Sequence, residues 1–109
     1  MKLQRAVDSI VDLIIRCCDP DEIILFGSYA KGNDRPDSDL DILVIGKFKG
    51  SKYLRDRELK ELLSPYPIGI DLLLVTPEEI ALESQKPYVF INTIRSSGIS
   101  LYKRRLKDN

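Results

Sequence analysis

Three short, mainly apolar runs constrain the fold of this 109-residue chain more than any other feature. They cover residues 23–26, 40–45 and 68–75, and segments with helical spacing of apolar residues lie before and between them. Runs of this length, rich in Ile, Leu and Val and bounded by Gly or Pro, are typical of buried strands. Strands that alternate with helices in this way predict an α/β sandwich with a small mixed sheet packed against helices.

The predicted element order is α-β-turn-β-α-β-α-α-β, within a single domain of residues 1–109. The first helix is amphipathic and ends near residue 19, because the following Pro20 disfavours a helical residue before it. A charged amphipathic helix follows Gly50, and residues 76–79 form a capping box that starts the next helix. A further helix follows Pro87, and residues 99–102 form a last short strand. The apolar side of the first helix comprises Leu3, Ala6, Val7, Ile10, Val11, Ile14 and Ile15.

Composition excludes several classes of function. The chain has 17 basic and 17 acidic side chains and no histidine, so overall charge predicts neither nucleic-acid nor membrane binding, and imidazole chemistry is absent. The adjacent Cys17 and Cys18 are expected to be reduced and structural. Charged residues interrupt the first apolar segment, and no run reaches the ~20 residues that span a bilayer, so we predict a cytoplasmic protein without a signal peptide. The basic segment 103–107 is expected to be solvated or bound to protein, with nucleic acid as the less favoured alternative.

Two aspartates stand at the start of the second predicted strand. Asp39 and Asp41 point to the same face, about 6.6 Å apart along the strand, and would repel each other unless a cation lies between them. Asp71 interrupts the apolar run 68–75, and it joins the same cluster if the second and third strands are neighbours. Three carboxylates can hold two Mg²⁺ ions. The alternative is that one aspartate caps the loop and the others lie on an exposed face and a sheet edge.

A glycine-serine step follows the first strand and begins a predicted helical turn that Gly32 closes. Gly27 permits a close approach of the backbone, and Ser28 offers a hydroxyl beside backbone N–H groups, an arrangement that binds phosphate. Lys31 either neutralises phosphate charge or is solvated. The basic residues at positions 47, 49, 52, 55 and 57 are expected to form mostly a solvated face, from which one could reach a triphosphate.

Gly27-Ser28, a ten-residue spacer, Asp39-Leu40-Asp41 and then Asp71 on a later strand resemble the nucleotidyltransferase superfamily that includes DNA polymerase β. The string GSYAKGNDRPDSDLDILV is similar to the minimal nucleotidyltransferases (MNT proteins), small single-domain members encoded beside a HEPN-domain partner. The resemblance implies a two-layer nucleotidyltransferase fold. Lys31 departs from the family, in which arginine is frequent at that position, and so lacks the planar fork for phosphate.

The resemblance also implies an activity: nucleotidyl transfer from ATP or another nucleoside triphosphate, with pyrophosphate as the leaving group. Asp39 and Asp41 would bind both Mg²⁺ ions, Asp71 would bind the ion that activates the acceptor, and Gly27 and Ser28 would hold the β- and γ-phosphates. MNT proteins of toxin–antitoxin pairs act as antitoxins, and some transfer AMP to a tyrosine of a HEPN toxin, an RNase. The alternative is an antitoxin that neutralises a HEPN partner by complex formation without catalysis. The sequence leaves open whether the chain forms homo- or hetero-oligomers.

Overall fold

A computed structural model describes residues 2–32, 39–50, 55–84 and 90–104, which form four strands and five helices in the predicted order. The α/β class predicted from the sequence is confirmed. The side chain of Lys31, the last five residues, and Tyr53, Leu54 and Val89 of the predicted helices lie outside the described part. In chain order the elements are α1 (Lys2–Cys18), β1 (Glu22–Phe26), α2 (Gly27–Lys31), β2 (Leu40–Ile45), α3 (Arg57–Leu63), β3 (Ile70–Val75), α4 (Pro77–Ser84), α5 (Phe90–Ser97) and β4 (Ile99–Lys103).

The four strands form one mixed sheet in the order β3-β2-β1-β4. β1 is antiparallel to both β2 and β4, whereas β2 and β3 are parallel. A parallel pair needs a crossover connection, and residues 46–69, which include α3, supply it. The second and third strands of the chain are therefore neighbours. This arrangement is the one in which Asp71 was predicted to join Asp39 and Asp41.

Buried side chains form a core on each face of the sheet, because successive strand residues point to opposite sides. One core packs the sheet against α1 and α3, and the smaller one packs the other face against α4 and α5. Asp41 has the same parity along β2 as Leu43 and Ile45, so it lies on the α4–α5 face. The larger core contains Val7, Ile10, Ile14, Ile23, Leu25, Leu40, Ile42, Val44, Leu59, Leu63 and Leu74. The smaller core contains Ile24, Leu43, Ile45, Val75, Ile80, Ile91 and Ile94.

The two cysteines differ in exposure, since Cys17 is exposed and Cys18 is half-buried. Cys17 and Cys18 are both free, and burial, with the neighbouring Cys17, raises the pKa of the Cys18 thiol to about 12. A thiol with so high a pKa stays protonated and unreactive at neutral pH. None of the helices described between residues 2 and 104 is long and apolar enough to cross a membrane.

The predicted capping box at the start of α4 is present and is joined to a buried arginine. Thr76 N donates to Glu79 Oε1 at 2.9 Å, and Glu79 N donates to Thr76 Oγ1 at 3.1 Å. Arg55 donates to the two oxygens of Glu79 at 2.9 and 3.3 Å, and also to the carbonyl oxygens of Gly50 and Leu74. Its guanidinium lies 5.8 Å from the centre of the Phe48 ring.

This arrangement corrects the interpretation of the basic cluster. The side chain of Arg55 is only 6% exposed, so Arg55 belongs to the interior and not to a solvated face. The prediction of a solvated side chain is wrong for Arg55 because its acidic partner, Glu79, lies 24 residues further along the chain. Lys47, Lys49 and Arg57 are exposed, as expected.

The Arg55–Glu79 pair predicts a specific pH dependence of stability. Burial alone would raise the pKa of Glu79, but the hydrogen bonds from Arg55 and Thr76 outweigh it and hold that pKa below its ordinary value of 4.5. A depressed folded-state pKa contributes stability above pH 4.5 and loses it as the pH falls through the folded-state value. Glu79→Gln should therefore lower the free energy of unfolding by about 1–2 kcal/mol at pH 7 and much less near pH 3.

Urea unfolding of the wild type and the variant at pH 7, 5, 4 and 3 measures this difference. Comparing the two proteins at each pH cancels the other titrating acids. A difference that stays constant over the whole range would contradict the assignment of the low pKa to Glu79.

Candidate active site

The candidate site lies at the end of the sheet where β1 ends and the parallel strands β2 and β3 begin. Asp41 and Asp71 are paired residues of the parallel register, and Phe26 is paired with Asp41 across the antiparallel register. Asp39 directly precedes β2, and Gly27 directly follows β1. The structure therefore brings together the three aspartates and the glycine-serine step that sequence analysis selected separately.

The three aspartates influence one another electrostatically. Asp39 and Asp71 are exposed, whereas Asp41 is half-buried. Burial raises the pKa of Asp41, and the charge of Asp71, a hydrogen bond with it, and the charge of Asp39 raise this pKa further. A cation bound beside Asp41 would relieve this repulsion between the carboxylates.

Gly27 is required by its conformation and by its contact with Asp41. Its φ of 77° lies in the left-handed region that favours glycine. A Cβ atom at this position would lie 3.0 Å from Asp41 Cγ and 3.2 Å from Asp41 Cβ. Both distances are shorter than the ~3.5–4.0 Å of an ordinary carbon–carbon contact. The glycine thus lets the first residue of α2 lie directly beside the Asp41 carboxylate, and the half-buried Ser28 follows it in the chain.

The turn that follows has the predicted length. Gly32 ends α2 with a φ of 74°, and its N–H bonds to the carbonyl of Tyr29 at 3.3 Å. Because the Lys31 side chain and residues 33–38 lie outside the described part, a contact of Lys31 with phosphate stays a prediction.

Three carboxylates are a donor set that suits a hard divalent cation. Among the described residues, no three Asp, Glu or Cys side chains converge closely enough to enclose an ion. Asp41 lies against Gly27 on the β1 side, whereas Asp39 lies against Gly69 on the β3 side. In the described segments the ion pairs involve other acids, which leaves this cluster without a basic partner.

A cavity of about 270 Å³ lies at the opposite end of the sheet, away from the aspartates. Its walls carry charges of both signs over an apolar floor, and Arg104 pairs there with Asp19 at 2.6 Å and with Asp21 at 3.3 Å. Because Arg104 is already paired with acidic side chains, the cavity favours neither a phosphate nor a cation. The lining residues are Asp21, Glu22, Ile45, Pro77, Ile80, Arg95, Lys103 and Arg104. We therefore place the candidate site at the aspartates.

A mixed sheet with acids at the start of two parallel strands, beside a glycine-serine turn, is the arrangement of the nucleotidyltransferase fold. Residues 11–99 match the nucleotidyltransferase domain family, and the chain belongs to that family. The predicted family and fold are both confirmed.

Two relatives come from Methanocaldococcus jannaschii, and both carry the provisional name protein adenylyltransferase. MJ1305 is 36% identical over 98 residues, covering 79% of this chain and 66% of the relative. MJ0141 is 30% identical over 79 residues, covering 72% of this chain and 68% of the relative. The chain thus spans about two thirds of the length of these relatives.

Solved structures share the fold at lower identity. A provisionally named nucleotidyltransferase from Sulfolobus solfataricus superposes with a TM-score of 0.64 and 18% identity, covering 92% of this chain and 79% of that one. A toxin–antitoxin structure with AMP-PNP gives 0.64 and 22%, and the toxin–antitoxin MntA-HpeT, in a variant with two aspartates replaced by glutamate, gives 0.62 and 19%. Both cover 90% of this chain and 73% of the other.

Proposed function

We propose that this chain is a Mg²⁺-dependent nucleotidyltransferase that transfers AMP from ATP to a tyrosine of a HEPN-domain RNase toxin, and so acts as an antitoxin. The observation that carries the proposal is the register of β2 and β3, which sets Asp41 opposite Asp71. Beside this pair, Gly27 brings the start of α2 against Asp41. Carboxylates for cations and a backbone turn for phosphate thus stand side by side, as nucleotidyl transfer requires.

The roles follow from the position of each residue. Asp39 and Asp41 would hold both Mg²⁺ ions and Asp71 one of them; when bound, the ions would offset the charge of the triphosphate and of the departing pyrophosphate. Gly27 and Ser28 would bind the β- and γ-phosphates through backbone N–H groups and the hydroxyl. Asp71 is exposed on the edge strand β3, where an acceptor can approach.

The transfer itself is a displacement at the α-phosphorus. The tyrosine oxygen would form the new bond, the bond from the α-phosphorus to the bridging oxygen would break, and pyrophosphate would leave. Asp71 would take the tyrosine proton, a role that needs no histidine. Positioning and charge then provide most of the rate enhancement.

The choice of nucleotide and partner is supported by the relatives and not by the site alone. The two archaeal relatives carry the name protein adenylyltransferase, which favours AMP as the transferred group and a protein as the acceptor. Two structures with the same fold belong to toxin–antitoxin systems, and one of them contains AMP-PNP, an analogue of ATP.

The second candidate is an antitoxin that neutralises its partner by covering it, without catalysis. Two structures with this fold belong to toxin–antitoxin systems, and covering a toxin does not by itself require catalysis. The two candidates differ in whether a covalent product forms.

Labelled ATP distinguishes the candidates. The chain should transfer label from α-labelled ATP to the toxin encoded beside it, in the presence of Mg²⁺, and should transfer none from γ-labelled ATP. Mass spectrometry of the modified toxin should locate AMP on a tyrosine, and a tyrosine-to-phenylalanine change there should remove the label. Neutralisation without any labelled product would support the non-catalytic antitoxin.

A further inference from the structure

Gly69 lies directly before β3, two residues before Asp71. Its carbonyl oxygen accepts a hydrogen bond of 2.8 Å from the N–H of Leu40, the residue between the two aspartates of β2. Gly69 is exposed, and it is not among the glycines with positive φ. Neither burial nor backbone conformation therefore explains a glycine at this position.

The contact that alanine would disturb is with a carboxylate of the candidate site. A Cβ atom on Gly69 would lie 2.7 Å from Asp39 Cγ and 3.3 Å from Asp39 Oδ2, with Oδ1 closer still. The distance to Cγ is far inside ordinary carbon–carbon contact, so the Asp39 side chain would have to shift. The carboxyl group of Asp39 thus lies against the bare Cα of Gly69.

The same kind of contact is present at the other aspartate of β2, where the Asp41 carboxylate lies against Gly27. Substitutions at Gly27 would also be strained by its positive φ, so their effects would not isolate the contact. At Gly69 the contact is separate from backbone strain, and this makes Gly69 the informative position.

We propose that Gly69 is a positioning residue of the cation site, whose bare Cα lets the Asp39 carboxylate lie on the β3 side, toward Asp71. The inference rests on the proposed function for the identity of the site. Alanine at position 69 would push the Asp39 carboxylate out of this place without removing any cation ligand. We expect Gly69→Ala to lower the affinity for the cation directly, and to affect the binding of nucleotide or partner only through that loss.

Mn²⁺ binding, followed by electron paramagnetic resonance of the free ion without nucleotide, tests the proposal. Gly69→Ala should weaken binding by roughly 10- to 100-fold, the range for residues that orient metal ligands. The matched control is Gly46→Ala at the other end of the same strand pair, where Gly46 N bonds to Val75 O at 3.0 Å. A Cβ there would lie no closer than 3.4 Å to any atom, so Mn²⁺ affinity should not change.

A double-mutant cycle on unfolding midpoints tests the contact independently of any cation. Gly69→Ala should lower the midpoint when Asp39 is present and leave it unchanged in an Asp39→Ala background. If Gly69→Ala alone fails to fold but the double variant with Asp39→Ala folds, that outcome also supports the contact. Equal loss in both backgrounds, or failure of both to fold, would overturn the contact.

The two experiments separate the failure of this inference from the failure of the proposed function. Wild-type protein that binds no Mn²⁺ overturns this inference, and the proposed function fails with it only if no label is transferred from α-labelled ATP. Wild-type protein and Gly69→Ala that bind Mn²⁺ equally overturn this inference alone.

Discussion

Under the proposed function, replacing Asp39 and Asp41 together with asparagine is expected to reduce the labelling of a toxin partner from α-labelled ATP by at least about 1,000-fold. Loss of cation binding removes several kcal/mol of transition-state stabilisation, and about 4 kcal/mol corresponds to this factor. The folded chain should not be destabilised, because the change removes a carboxyl group whose pKa is raised by burial and by the charges of Asp71 and Asp39. We expect an unfolding midpoint equal to or above that of the wild type.

The matched control removes two negative charges far from the site. Asp8 and Asp12 lie on α1 and are exposed, so Asp8→Asn with Asp12→Asn should leave labelling within about twofold of the wild type. Full labelling by the Asp39/Asp41 variant would show that the site has been assigned to the wrong residues. Full neutralisation of the toxin without labelling would instead favour the non-catalytic antitoxin.

Arg55→Ala is expected to lower the free energy of unfolding by about 3 kcal/mol, or on the order of 10–15 °C in the unfolding midpoint. The change leaves the Glu79 carboxylate without its bidentate partner and two backbone carbonyls, those of Gly50 and Leu74, without a donor. It also removes the contact with the Phe48 ring. Because Glu79 retains 31% exposure, we place the loss at the lower end of the range for broken buried pairs.

Arg16→Ala is the control for this prediction. Arg16 also pairs with an acid, Asp12, but its side chain is 77% exposed, and exposed pairs one helical turn apart contribute about 0.5 kcal/mol or less. Thermal unfolding followed by circular dichroism measures both variants. Equal, small losses in the two proteins would mean that the Arg55 interactions contribute little to stability.

The sequence predicted the elements more fully than their contacts. Apolar periodicity and capping signals are local, so they fixed the order of strands and helices and the Thr76–Glu79 capping box. The neighbouring positions of Asp41 and Asp71 could only be stated as a condition, because strand order in a sheet depends on the whole chain. The resemblance to nucleotidyltransferases favoured neighbouring second and third strands, and the structure has them.

Two residues were missed for reasons of distance along the chain. Arg55 belongs to a run of basic residues that looks like a solvated face, and nothing near it in the sequence indicates a pair with Glu79. Gly69 lies within the apolar run 68–75, and nothing near it in the sequence indicates a contact with Asp39. A glycine inside such a run is a usable signal, since glycine in a strand often marks the close approach of another group.

The parallel register of β2 and β3 also determines which changes in length the family can accumulate. Along β3, the residues at positions 70, 72 and 74 pack toward α1 and α3, whereas Asp71 points to the opposite face. Inserting or deleting one residue within either strand would turn every side chain beyond it to the wrong face, so it would expose the core and displace a carboxylate together. The described residues between the two strands, 46–50 and 55–69, include the helix α3 and carry no strand alternation. We therefore expect insertions and deletions among relatives to collect in this crossover, while the spacing within each strand stays invariant.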